Sequence, residues 1–123
     1  RKAGAAAAQM VSSDKECQDM PRIARLLTLC PDLGTARAIA QALLEARLIA
    51  CANIGAKVES HYLWNGALQN EPEVQLWLKT REDLVERAFA AIRRHHPYEV
   101  PMIAADTIRV NADYAAWVNE TTL

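Results

Sequence analysis

The sequence predicts an α+β fold, a ferredoxin-like split β-α-β sandwich whose second and third strands form an extended hairpin. Three observations carry that prediction. Apolar periodicity switches between two and about 3.6 residues in the order β-α-β-β-α-β. A single Asn-Gly pair, Asn65-Gly66, separates two long extended segments and marks a tight hairpin turn. The chain has 123 residues, 51% hydrophobic and 24% charged, the size and composition of one globular domain able to bury a core without staples. Right-handed crossovers then put the third and fourth strands beside the first, leave the second strand on the edge and set both helices on one face.

Residues 1–21 are rich in Ala, Ser and charge, lack periodicity and are expected to form a disordered tail, leaving 22–123 as the single domain. The run Ile23–Cys30, bounded by Pro21 and Pro31, reads as a short buried strand. Ala36, Ile39, Ala40, Leu43 and Leu44 then recur at helical spacing. Asp32 or Thr35 is available to cap that helix, and Arg47 to complement its dipole.

Extended segments over 49–64 and 67–80 follow, with Val74, Leu76 and Leu78 alternating against Gln75, Trp77 and Lys79. Pro72 is expected to mark a bulge or kink, because it has no N–H to donate. Glu82 and Asp83 open a second helix whose buried stripe is read as Val85, Ala88, Phe89 and Ile92, ending before Pro97. A last strand is expected over about 100–110, then a closing helix with Tyr114, Trp117 and Val118.

The two segments of the hairpin far exceed the usual strand of about five or six residues, so the ribbon must project beyond the sheet. A bare ribbon is marginal in water, and Tyr62, Trp64 and Trp77 lie on it. They are therefore the expected contacts of an oligomer. Fourteen Lys plus Arg against fifteen Asp plus Glu give a net charge of -1, which argues against nucleic acid as a partner. No apolar run approaches the roughly 20 residues that span a bilayer, so no membrane partner is expected. The three cysteines Cys17, Cys30 and Cys51 form no CxxC motif, in keeping with reduced thiols in a cytoplasmic protein. No catalytic triad, P-loop or paired catalytic carboxylates can be read, so no enzyme activity is expected.

The stretches LLEARLIACANI, SHYLWNG, EVQLWLKT, HHPYEVP and DYAAWV, in that order, resemble the CutA divalent-cation tolerance family across about residues 24–119. The resemblance implies a cytoplasmic homotrimer, joined through its long hairpins and associated with tolerance to copper and other divalent cations. It also implies a metal-ligand set: a Cys at the end of the first strand and two adjacent His after the second helix, here Cys30, His95 and His96. Two departures stand out. Gly55-Ala56-Lys57 replaces a frequent Ile-Pro-Gly, and Met102 occupies a position often acidic.

Connectivity supports the grouping, since the first strand and the second helix end at the same edge of the sheet. Tyr98 and Glu99 fall there too as a possible polar pocket, and His61 approaches from the hairpin. Cys51 starts its strand at the opposite edge, roughly 20 Å away. Thiolate and imidazole together suit copper, with zinc as the alternative. The rival reading is a trimeric signalling or scaffold protein that binds a small anion or peptide in clefts between subunits.

Overall fold

A computed structural model describes residues 14–123. Helix α1 (Asp14–Asp19) falls inside the segment expected as a tail, and residues 1–13 of that segment lie outside the described residues. Then come β1 (Arg22–Cys30), α2 (Leu33–Glu45), β2 (Cys51–Trp64) and β3 (Ala67–Thr80). A 3-10 turn (Glu82–Leu84) leads into α3 (Val85–His95), followed by β4 (Ile103–Arg109) and α4 (Ala112–Thr121). The sheet is antiparallel in the order β2-β3-β1-β4, as the split β-α-β topology predicts.

Alternation along β1 and β3 sends Leu26, Cys30, Leu76 and Leu78 into one core with Ile39, Leu43 and Ile92 of the two long helices. Ala88 and Ala91 are buried on α3 where a larger residue would hold the helix away from the sheet. Phe89, expected in that stripe, is 39% exposed. It stands about 100° round the helix from Ala88, beyond the face that meets the sheet. Leu44 is likewise exposed, because Ala40 and Leu43 already fill the contact.

Asp32 is the cap of α2, accepting from the Thr35 N–H at 2.7 Å. The helix ends in a Schellman motif: Arg47 takes φ 57°, its N–H donates to the Leu44 carbonyl and the Leu48 N–H to Leu43. The Arg47 guanidinium does not serve α2, as expected, but donates to the Thr121 and Glu120 carbonyls at the end of α4. That helix packs Ala115 and Val118 on Ile23 and Ala50, at one end of the sheet face opposite α2 and α3.

The remainder of that second face is open. Arg25 is bidentate to Asp106 at 2.7 and 3.1 Å and stacks on Trp77, whose indole N–H donates to Gln75. Leu27 and Leu29 complete it, half-buried.

The hairpin turns at Asn65 and Gly66, with φ of 51° and 80°, the left-handed pair that a two-residue turn requires. The expected irregularity at Pro72 is absent. Pro72 pairs regularly with Glu59, and the bulge is at Gly55-Ala56 of β2, where the register slips between Ile54 and Lys57. The reason is positional: Cys30↔Val74 is the last β1–β3 pair, so Pro72 has only one neighbouring strand and a missing donor is tolerated on the free side. Gly55 suits the bulge because a Cβ there would press within 3.3 Å of Gln75.

Candidate functional site

The edge where β1 and α3 end is organised by His96. Pro97 removes an N–H and forces the chain out of the helix, so His96 adopts an extended conformation as the cap of α3 (φ -80°, ψ 134°) and its ring turns inward, 8% exposed. Its Nδ1 accepts from the Tyr98 N–H at 3.2 Å, so the proton sits on Nε2, which donates to the Leu29 carbonyl at 2.8 Å. The Tyr98 hydroxyl then donates to Glu73 at 2.8 Å. One relay therefore ties the end of β1, the turn after α3 and the base of the hairpin.

Topology and structure agree on the neighbours but refine their state. His96 reaches Leu29, the residue before Cys30, while adjacent His95 remains on the exposed outer side of α3. Cys30 is fully buried, and burial, followed by the charges of Asp32 and Glu73, pushes its thiol up to about 11. At neutral pH it is a protonated thiol rather than a ready thiolate. Among the described residues no group of three His, Cys, Asp or Glu side chains is close enough to hold an ion. Cys51 pairs with Lys79, five residues along β3 from the partner of Cys30, about 17 Å away.

Beside this relay lies a cleft of about 740 Å³ between the hairpin and the loop that joins α3 to β4. Tyr62, Trp64, Glu71 and Glu73 come from the hairpin, and Tyr98, Glu99 and Met102 from the loop. The Tyr62 hydroxyl donates to Glu71 at 3.1 Å, the cross-strand analogue of the Tyr98–Glu73 bond. Burial and the bond to Glu73 hold the Tyr98 hydroxyl well above its ordinary value, so it stays a neutral donor. The Thr28 hydroxyl donates to the Met102 carbonyl at 2.8 Å and fixes the far lip of the cleft. His61 also lines it, 3.4 Å from Glu59.

Tyr98 and Glu99 both line this cleft. Glu73 was missed because the alternation of the strand sets it on the face of Gln75, Trp77 and Lys79, opposite Val74, Leu76 and Leu78, where a carboxylate reads as solvated. A carboxylate in that position is costly to bury and demands a partner.

The sequence matches the model of the CutA1 divalent ion tolerance protein family over residues 24–121. It is 43% identical over 96 residues to the divalent-cation tolerance protein CutA of Pyrococcus horikoshii, covering 77% of this chain and 93% of that one. Protein CutA of mouse is 37% identical over 94 residues; the match covers 76% of this chain and about half, 53%, of the mouse protein. Among solved structures, the divalent ion tolerance protein CutA1 from Ehrlichia chaffeensis superposes with a TM-score of 0.79 at 38% identity, over 82% of this chain and 95% of that one.

Proposed function

The chain belongs to the CutA1 divalent ion tolerance family, and from that membership we propose that it serves cation tolerance as a cytoplasmic homotrimer that binds copper, with zinc as a second ion. The observation that carries the assembly is the projecting hairpin. Beyond Val74, toward the turn, no third strand among the described residues pairs with it, and Leu63 and Leu68 are 67% and 84% exposed on it. Such a ribbon is marginal alone and becomes stable against another chain. Among the described residues, strands β2 and β4 each leave one edge unpaired, and the open sheet face around Trp77 adds apolar area. Head-to-tail contacts of this kind close into a ring when the rotation permits. Tyr62, Trp64 and Trp77 are the aromatic contacts in this reading. The described cysteines are unpaired, which supports a reducing compartment.

The ligands in this reading are Cys30, His95 and His96; Cys30 and His96 are buried while His95 is exposed, so holding one ion with all three would require the end of α3 to rearrange. Binding would require Cys30 to give its thiol proton to solvent and His96 Nδ1 to release the Tyr98 N–H. The His96 contact with Leu29 supports this choice of residues, because it puts an imidazole one residue from the only buried thiol among the described residues. Soft thiolate favours Cu(I), and the Irving–Williams order favours Cu(II) over other divalent ions.

A competition titration of reduced protein against a Cu(I) chelator tests the assignment. Cys30→Ser is expected to weaken Cu(I) more than zinc, and Cys51→Ser to change little. Loss of binding in Cys51→Ser with Cys30→Ser unaffected overturns it.

A further inference from the structure

We propose that Tyr98 is a positioning residue for His96: it latches the imidazole ring closed, and the base of the hairpin holds that latch through Glu73. The proposal rests on the reading of His96 as a ligand and names what keeps that side chain from its ligand. Three observations carry it. First, the two ring nitrogens of His96 are not held alike. Nε2 donates at 2.8 Å to the carbonyl of Leu29, a residue of β1 paired with Gln75 of β3. Nδ1 accepts at 3.2 Å from the N–H of Tyr98, in the loop between α3 and β4. In this tautomer Nδ1 carries the ring's available lone pair, so the atom an incoming ion needs is covered by the longer of the two contacts.

Second, no regular secondary structure sets the position of that N–H. Residues 96–102 belong to no helix or strand, and Pro97 has no N–H to contribute. Tyr98 is held by its side chain. Its hydroxyl donates to Glu73 at 2.8 Å, and its ring lies against that of His96 with centroids 4.7 Å apart and planes at 48°. The far end of the loop is held separately, by the Thr28 hydroxyl on the Met102 carbonyl.

Third, Glu73 has a strong hold on its donor. It is 8% exposed and lies on β3 one residue beyond Val74, the last residue of that strand paired with β1. Among the described residues it forms no ion pair, and the donor that reaches it is the Tyr98 hydroxyl. A hydrogen bond to a carboxylate is of the stronger kind, and a buried carboxylate stripped of its donor is costly. Keeping that bond keeps Tyr98, and with it Nδ1 of His96, in the closed position. Closure at the end of α3 therefore depends on a residue of the hairpin that is 23 positions away in sequence from His96 and meets it only through Tyr98.

The test is amide hydrogen exchange, resolved by NMR, in the full chain without added metal. Tyr98→Phe keeps the ring and the N–H and removes the hydroxyl. Exchange at the amide of residue 98 should rise roughly tenfold or more, as expected for the loss of a hydrogen bond to a charged acceptor. The amides of β1 should stay within about twofold of the parent. Glu73→Ala should reproduce that local rise, and Glu73→Gln, whose amide oxygen still accepts, should stay nearer the parent. The double variant Tyr98→Phe/Glu73→Ala should be no faster than either single one, because both remove the same bond. Unchanged exchange at residue 98, an equal rise throughout β1, or additive effects in the double variant overturns the latch. Zinc titration of the same samples keeps the two readings apart. Faster exchange at residue 98 in a protein that binds no zinc preserves the latch and overturns His96 as a ligand, and zinc binding with exchange at residue 98 unchanged by Tyr98→Phe does the reverse.

Discussion

The two halves of the β2–β3 hairpin are built from the same pair of strands, yet they live in different surroundings. From Val74 to Thr80, β3 lies between β1 and β2, and its side chains alternate between buried and half-buried. From Ala67 to Glu71 it has β2 alone for a neighbour, and every side chain but Gln69 is exposed. Pairing with β2 is unbroken in the outer half and is interrupted by the Gly55-Ala56 bulge in the inner half, so backbone hydrogen bonding does not favour the inner half. What differs is apolar burial, the dominant favourable contribution to folding. The inner half is stabilised by burial within its own chain, and the outer half has almost none of it.

The comparison predicts a steep gradient of mutational cost along one strand. Leu76→Ala, at a fully buried position of the inner half, should destabilise by about 2 to 5 kcal/mol in chemical denaturation. A cost near zero there would break the distinction.

At the boundary between the halves stands Cys30, paired with Val74. Its thiol is raised from 9.0 to about 11 in the folded chain, so folding favours the protonated form. That stabilisation is complete below pH 9 and is lost as pH rises through 11, a difference of roughly 2 to 3 kcal/mol. Subtracting the pH profile of Cys30→Ala isolates it; identical alkaline profiles would show that the thiol is not desolvated.

The smallest effect belongs to the outer half. Leu68→Ser, at a side chain 84% exposed, should leave the unfolding midpoint of the dissociated chain within about 0.5 kcal/mol of the parent. A larger loss would mean that the outer half packs within its own chain.

Much of this was legible from the sequence because it depends on local chemistry. Asn65-Gly66 announces its turn, Asp32 its cap, and the alternation of Val74, Leu76 and Leu78 its register. The failures all involve partners distant in sequence. Pro72 reads as a breaker until it is known that β1 has already ended beside it, and the bulge passes to Gly55-Ala56. Phe89 reads as core until Ala88 and Ala91 define the narrower contact face of α3. Arg47 reads as a partner of its own helix until α4 returns to meet it. At the candidate site, connectivity alone brought His96 beside the end of β1. It could not show that both ring nitrogens are already engaged by Leu29 and Tyr98, nor that Glu73 lies at the end of the same relay.

The claim on which the comparison rests is that the outer half of the hairpin is completed by other copies of the chain. Multi-angle light scattering of the full chain at micromolar concentration tests it directly. The expected mass is three times the 13.6 kDa of one chain, with Trp64→Asp shifting the population toward smaller species because assembly would bury an unpaired charge. A parent mass of 13.6 kDa would contradict the account, since the exposed ribbon would then be stable with nothing to cover it.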